Sequence, residues 1–472
     1  MAVHAPCLLF PTVTSTDTLR IHAAREPGPR LAGEFVLYWL QTTMRARQNP
    51  ALNFAVEQAN HLRLPLLVYQ GLRQDYPWAS DRIHTFILES VADLYPDFAA
   101  RGIQYGFYLE TGGPAEGRTG RSPLVQLAER AAVVVTDYFP TFIVPRQTRA
   151  LREKINTPVI AVDSGTLVPL RHHAREHSTA RGIRPRLLAA LPHYLHPIPD
   201  PEISIRRPIE LPFEPTRPSA AAIPALVAAC AIDHAVAPAP AIRGGRRAGL
   251  ARLDAFLRTG LARYADDRGD PNQDVTSRLS PYLHFGNVSI NEVLLSVREV
   301  APPAQYEKFQ DEALVWRELA HNFVHWNPKH RTMAAVPAWA RQELDDHSSD
   351  PRPAVYSDED LEFARTHDDL WNAAQRSLLR DGEVHNYVRM LWGKSVLLWK
   401  RTPAEALRVL EHLNHKYALD GRDPSSYGGI LWCFGKFDRP FYRRPIYGTV
   451  RYMSLGAAAK KFDVKSYIKR YS

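Results

Sequence analysis

Five short apolar runs punctuate the first third of the chain: FVLYWLQ (35–41), LPLLVYQ (64–70), IQYGFYL (103–109), AAVVVTDYF (131–139) and PVIAVDS (158–164). Stretches with helical spacing separate them, among them 53–62 and 80–101. Apolar runs of strand length alternating with helices predict βαβ units and a mostly parallel sheet covered on both faces. No GxGxxG follows any of these runs, so the rhythm is Rossmann-like but the usual dinucleotide fingerprint is absent.

The texture changes after residue 168. LPHYLHPIPDPEISIRRPIELPFEPTRPS is rich in proline and predicts an extended linker, interrupted by a short alanine-rich helix near 219–231. From 247 onward the pattern is mainly helical, with periodic segments at 290–299, 306–322, 358–369, 371–381 and 384–399. Thr402 followed by Pro403 and Glu405 marks another helix start. The expected organisation is a loose N-terminal arm (1–32), an α/β domain (33–170), a Pro-rich interdomain linker (171–246) and an all-helical domain (247–472).

Composition narrows the function classes. The 472 residues are 45% hydrophobic and 23% charged, which excludes a mostly disordered, collagenous or coiled-coil chain. A formal charge of +9 suits a nucleic-acid or other polyanionic partner, although many basic proteins have neither. Cys7, Cys230 and Cys433 are too dispersed for a disulfide framework or a zinc motif, which points to a reducing compartment and no metal. No apolar run approaches the roughly 18–20 residues that span a bilayer, and the N-terminus lacks a signal-peptide pattern. The expectation is a cytoplasmic monomer without membrane association.

Five segments could carry chemistry. TSRLSPYLHFG (276–286) sets Thr276, Ser277 and Ser280 near a helix start, which suits either a phosphate or ordinary capping. In DEALVWREL (311–319), Glu312 and Trp316 are one helical turn apart: an acid and an indole for a base, or a solvated acid beside a core ring. Trp392 and Trp399 lie two turns apart on one helix face with Trp371 just upstream, an electron path or plain aromatic core. Asn414, Asp420, Asp423 and Trp432 fall in a loop-rich stretch where Asp420-Gly421 and Asp423-Pro424 are also ordinary turn formers. The tail from Lys436 interleaves ten cations, including Arg439 and Arg451, with eight aromatics and only Asp438 and Asp463, fitting a nucleic-acid surface or a solvated basic face.

Taken together, TSRLSPYLHFG, WREL-x-HNF, THDDLWNAAQ, HNYVRMLWGK, LDGRDPSSYGG and the tail resemble the photolyase/cryptochrome family, most closely its class II branch, the cyclobutane pyrimidine dimer photolyases. The resemblance covers nearly the whole chain after residue 33. It implies an α/β Rossmann-like domain joined to an all-α domain holding FAD in a U shape. Tyr264 and the run Thr276, Ser277, Arg278, Leu279 and Ser280 would hold its diphosphate. Arg389 and Asp420 would pair beside the isoalloxazine, with Asp423 nearby and Asn414 facing flavin N5. Trp392, Trp371 and Trp399 match the electron-transfer tryptophans. The implied activity is a deoxyribodipyrimidine photo-lyase: photoexcited reduced FAD gives one electron to a dimer flipped out of UV-damaged DNA, and the electron returns after the ring splits. Trp316 and Trp432 would pack on the dimer, Glu312 would hydrogen-bond a pyrimidine edge, Met390 would pack in the pocket, and Arg439 and Arg451 would fill the gap in the duplex or hold phosphates. The family's α/β domain can hold an antenna chromophore, a deazaflavin or a folate, but no motif here identifies one. Two positions depart from the class II pattern: His385-Asn386, where a glycine is expected after the histidine, and Trp316-Arg317. A blue-light photoreceptor and a (6-4) photolyase, which would want a proton donor such as His385, are the alternatives.

Overall fold

A computed structural model describes residues 16–22, 32–112 and 121–472. Its first layer is a six-stranded sheet: β1 (Ile21–His22), β2 (Phe35–Trp39), β3 (Leu66–Leu72), β4 (Gln104–Leu109), β5 (Ala131–Asp137) and β6 (Val159–Val162). The spatial order is β1-β6-β5-β2-β3-β4, parallel except for β1 on β6. Every residue of β2 and β5 is buried, as expected for strands covered on both faces. Helices α1 (Pro50–Leu62), α2 (Asp81–Ala100), α3 (Pro123–Arg130) and α4 (Val144–Arg152) supply the cover.

The strand order reverses between β2 and β5, the place where doubly wound folds bind ligands. Here Asp137 fills it. Its carboxylate accepts the backbone N–H groups of Gln41, Thr42 and Thr43 at 2.8, 2.8 and 3.1 Å, and the Tyr38 hydroxyl at 2.7 Å. Amides that could cradle a phosphate are thereby satisfied from within, consistent with the missing glycine fingerprint.

Two expectations are corrected. The arm is not loose over residues 16–22: Arg20 is buried and its guanidinium donates to the carbonyls of Asp163, Thr166 and Leu167, docking β1 on the sheet edge. The rest of the arm, 1–15 and 23–31, lies outside the described residues. The linker is not simply extended either. It contains α5 (Ala180–Tyr194) as well as the anticipated alanine-rich helix α6 (Ile223–Ala228). Ile183, Leu187, Ala190 and Tyr194 bury one face of α5, and that burial outweighs Pro185 and Pro192 within it.

The helical layer comprises α7 (Arg246–Ala255), α8 (Tyr264–Asp267), α9 (Ser280–His284), α10 (Ile290–Val300), α11 (Pro303–Gln310) and α12 (Arg317–Trp326). It continues through α13 (Ala338–Asp346), α14 (Asp358–Glu362), α15 (Asp369–Asp381), α16 (Asn386–Trp399), α17 (Pro403–Tyr417), α18 (Pro424–Trp432) and α19 (Val464–Arg470). Between α11 and α12 the chain stays helical but widens into a π-type turn over Asp311–Trp316, so the expected single helix is bulged at its candidate residues. The helix expected over 358–369 stops at Glu362; Ala364 takes a left-handed conformation and Asp368 caps α15. Thr402 and Glu405 form the reciprocal capping box anticipated for α17.

One buried core runs from the sheet into α7, α10 and the start of α12, so the two layers share apolar packing. One polar joint between them is the loop after β6. The carboxylate of Glu318, on α12, accepts the N–H groups of Leu167 and Val168, while Arg317 donates to the Gly165 carbonyl at 2.8 Å. Gly286 brings the layers close, since a Cβ there would lie 2.5 Å from the Thr42 carbonyl oxygen.

Burial pushes the Glu318 carboxyl up from 4.5 to about 8, against the pull of Arg317. A raised folded-state pKa favours folding fully at pH below 4.5, and that contribution is lost as pH climbs towards 8. Glu318→Gln should therefore gain stability relative to wild type steadily across that window. Thermal melts of both proteins against pH check it; parallel curves would contradict it.

Candidate functional site

A cavity of about 1070 Å³ lies in the helical layer. Sixteen of the nineteen candidate residues line it; Trp371, Trp399 and Arg439 do not. At one end is the loop leading into α9. Arg252 donates to the carbonyls of Ser277 and Thr276 at 2.9 and 2.8 Å and fixes the loop backbone. Arg278 takes a left-handed conformation, φ 50°, unusual for a non-glycine residue, and is held there by an ion pair with Glu383. Thr276, Ser277, Leu279, Ser280 and, from α8, Tyr264 complete this end.

The middle is built by α16 and the α17–α18 turn. Arg389 donates to both carboxylate oxygens of Asp420, at 3.0 and 3.2 Å. Asn414 donates to Ser426 Oγ at 3.1 Å, and Ser426 Oγ–H donates to the Asp420 carbonyl at 2.8 Å, so the amide and the ion pair are fixed to one another. Asp423 caps α18 through Ser425 N–H at 2.8 Å and meets His284 Nδ1 at 3.2 Å. Burial alone would raise the Asp423 pKa, but His284, His321 and Arg317 hold it well below the usual carboxylate range.

The mouth combines aromatic rings with cations. Glu312 is not free: Arg268 and Lys308 both reach its Oε1 at 2.7 Å. Trp316 and Met390 line the wall nearby. Across it, the Arg451 guanidinium lies 5.5 Å from the Trp432 ring centre and 4.3 Å from that of Phe441, and donates to Asp438 at 2.7 and 3.0 Å. Arg439 is exposed outside the cavity, over Phe441. Lys436, counted with the basic tail, is instead buried, and its ammonium donates to Glu176 of the linker and to the Ala335 carbonyl.

Behind the wall the three tryptophans touch. Trp371 stacks on Trp392 at 6.3 Å and 11°, and meets Trp399 edge-on at 5.4 Å. Trp392 N–H donates to Gln375 Oε1 at 2.9 Å, and Trp371 N–H to the Trp392 carbonyl at 3.0 Å. Both indoles that follow the cavity thus point N–H at a neutral oxygen, a favourable partner for a ring that loses an electron.

Comparison with known proteins decides the family. The family model for DNA photolyase matches residues 36–202. A deoxyribodipyrimidine photo-lyase of Methanothermobacter thermautotrophicus is 34% identical over 96% of this chain and 97% of its own length. The chain belongs to the photolyase family. A rice deoxyribodipyrimidine photo-lyase is also 34% identical, over 94% of this chain and 88% of its own. Among solved structures, a class III photolyase from Agrobacterium tumefaciens shares the fold, with TM-score 0.66 at 20% identity over 93% of this chain and 86% of that one. An archaeal photolyase from Sulfolobus tokodaii does so with TM-score 0.64 at 19% identity, covering 92% of this chain and 89% of that one.

The family's cofactor, FAD, fits this photolyase cavity on two observations. Polar atoms of the wall are buried without a hydrogen-bond partner: Oδ1 of Asn272 and Nε of Arg389. Gly429 lines the cavity with nothing within 4 Å of where its Cβ would stand, so the wall is hollowed where a side chain would fill it. The sequence reading missed Lys308, although its i,i+4 spacing to Glu312 is a local signal, and missed Arg268, Arg252 and Glu383, which come from distant segments that carry none.

Asp423→Ala should lower the stability of the helical layer by about 1 to 2 kcal/mol, through loss of the cap and the histidine contact. Asp423→Asn should recover the cap part. Chemical denaturation followed by circular dichroism checks both; equal losses in the two variants would contradict the capping role.

Proposed function

We propose that the chain repairs cyclobutane pyrimidine dimers in UV-damaged DNA with light, in the manner of the class II branch, with FAD deep in the cavity and the flipped dimer at its mouth. The observation that carries this reading is one continuous cavity with a hydroxyl-rich end, a charge-paired middle and a cationic aromatic rim. The names of the relatives agree with it. When bound and reduced, FAD supplies a single electron on absorbing blue or near-UV light.

The chain's own residues then have distinct tasks. Tyr264 and the Thr276–Ser280 loop bind the diphosphate. The Arg389–Asp420 pair and Asn414 would border the flavin ring, where Asn414 would offer a neutral amide that tolerates a proton on the ring better than a carboxylate would. Trp316 and Trp432 sandwich a flipped dimer and exclude water from it, offsetting part of the unstacking cost of a few kcal/mol. Glu312, its charge balanced by Arg268 and Lys308, can accept from a pyrimidine N–H without bringing an uncompensated anion to the site. Arg451 and Arg439 hold the flanking phosphates. Trp392, Trp371 and Trp399 form the route by which oxidised cofactor is recharged. Burial pushes His385 down to about 4, so it carries no charge at neutral pH.

Pre-reduced protein should remove dimers from a UV-damaged thymine oligonucleotide in blue light and not in darkness; no loss in light refutes the proposal. Trp392→Phe should abolish photoreduction of oxidised flavin, read by its absorbance, and spare repair by pre-reduced protein. Gly429→Leu should fold, having room for its side chain, yet purify without flavin; a yellow Gly429→Leu protein would place the cofactor elsewhere.

A further inference from the structure

Lys394, on α16, is fully buried. Its ammonium donates to the carbonyl of Cys433 at 2.7 Å and stands 5.0 Å from the centre of the Trp432 ring. That partner is a backbone carbonyl, not a carboxylate. Burying an ammonium without a counter-ion is unfavourable, and an apolar side chain of similar length would fill the place without that cost. The charge therefore calls for a use in what it faces. Trp432, Cys433 and Gly393 all line the cavity, so the ammonium stands one indole ring behind the wall. The other cation on that ring, Arg451, is paired with Asp438, which leaves Lys394 as the less compensated charge.

We propose that Lys394 is a positioning charge for the substrate: through Trp432 it makes the mouth of the cavity favourable for negative charge on the bound dimer. This rests on the repair reading above. During repair the dimer gains one electron, its two inter-base carbon–carbon bonds break, and the electron leaves again. No proton is exchanged, so a fixed cation in water-poor surroundings can favour the charged stage by its field alone.

Lys394→Met tests this. Wild-type repair is measured first: if light removes no dimers, the repair reading fails and this one with it. Where wild type repairs, Lys394→Met should bind a dimer-containing oligonucleotide within about twofold of wild type, yet repair with a yield per absorbed photon lower by about threefold or more. It should also be more stable than wild type at pH 7, because an uncompensated charge has left the interior. Burial pushes Lys394 from 10.5 down to about 8, so the unfolded chain holds the extra proton between those values and wild-type stability rises with pH there. The stability gap should narrow across that window. Cys433, pushed up to about 11, and Tyr447, raised well above its usual range, are neutral for most of it, and the Asp438–Arg451 pair is common to both proteins. Full repair yield in Lys394→Met would overturn the proposal. So would a variant less stable than wild type at pH 7, since Lys394 would then serve only to hold the Cys433 carbonyl.

Discussion

A cavity of about 1070 Å³ inside a helical layer has to stand open, although protein interiors otherwise close around voids. The ion pairs of its wall make this possible. Arg389–Asp420, Arg278–Glu383 and Arg268–Glu312 each join segments far apart in the chain, so charged groups that would collapse inward hold one another along the wall. Pairing also decides what is left for a ligand. Arg389 Nε and Asn272 Oδ1 are buried without a partner on a wall where Arg268, Arg278, Lys308 and Arg451 already face carboxylates.

Charge balance also separates the tryptophans. Trp392 and Trp371 give their N–H groups to neutral oxygens and stack on each other, whereas Trp432 has Lys394 and Arg451 against its ring. A ring beside cations is harder to oxidise than one beside carbonyls. Under the proposed repair reading the indoles that border one cavity would do different work: Trp392 would give up an electron, and Trp432 would cover a substrate that receives one.

Much of this was legible in the sequence because its signals are local. Five apolar runs became β2 to β6, and the Thr402–Glu405 box became the start of α17. What escaped depends on long-range burial. β1 is two residues long and depends on its pairing with β6 and on the guanidinium groups of Arg20 and Arg171. α5 contains two prolines that read as breakers, yet it forms because one face packs on the core. The π-type turn at Asp311–Trp316 leaves no mark in a helical period. Lys436 looks like any tail cation until Glu176 of the linker is brought to it. The candidate site gathered well because its residues came through a family resemblance that places whole motifs, while their partners Arg252, Arg268 and Glu383 had no such guide.

The central claim is that one cavity brings a reduced flavin and a pyrimidine dimer within electron-transfer reach. Fluorescence of the bound, reduced flavin tests it most directly, with titration by an oligonucleotide carrying a single thymine dimer and by the same sequence undamaged. Quenching by the dimer-containing strand and little change with the undamaged one are expected. Emission that responds equally to both, or to neither while both bind, would contradict it.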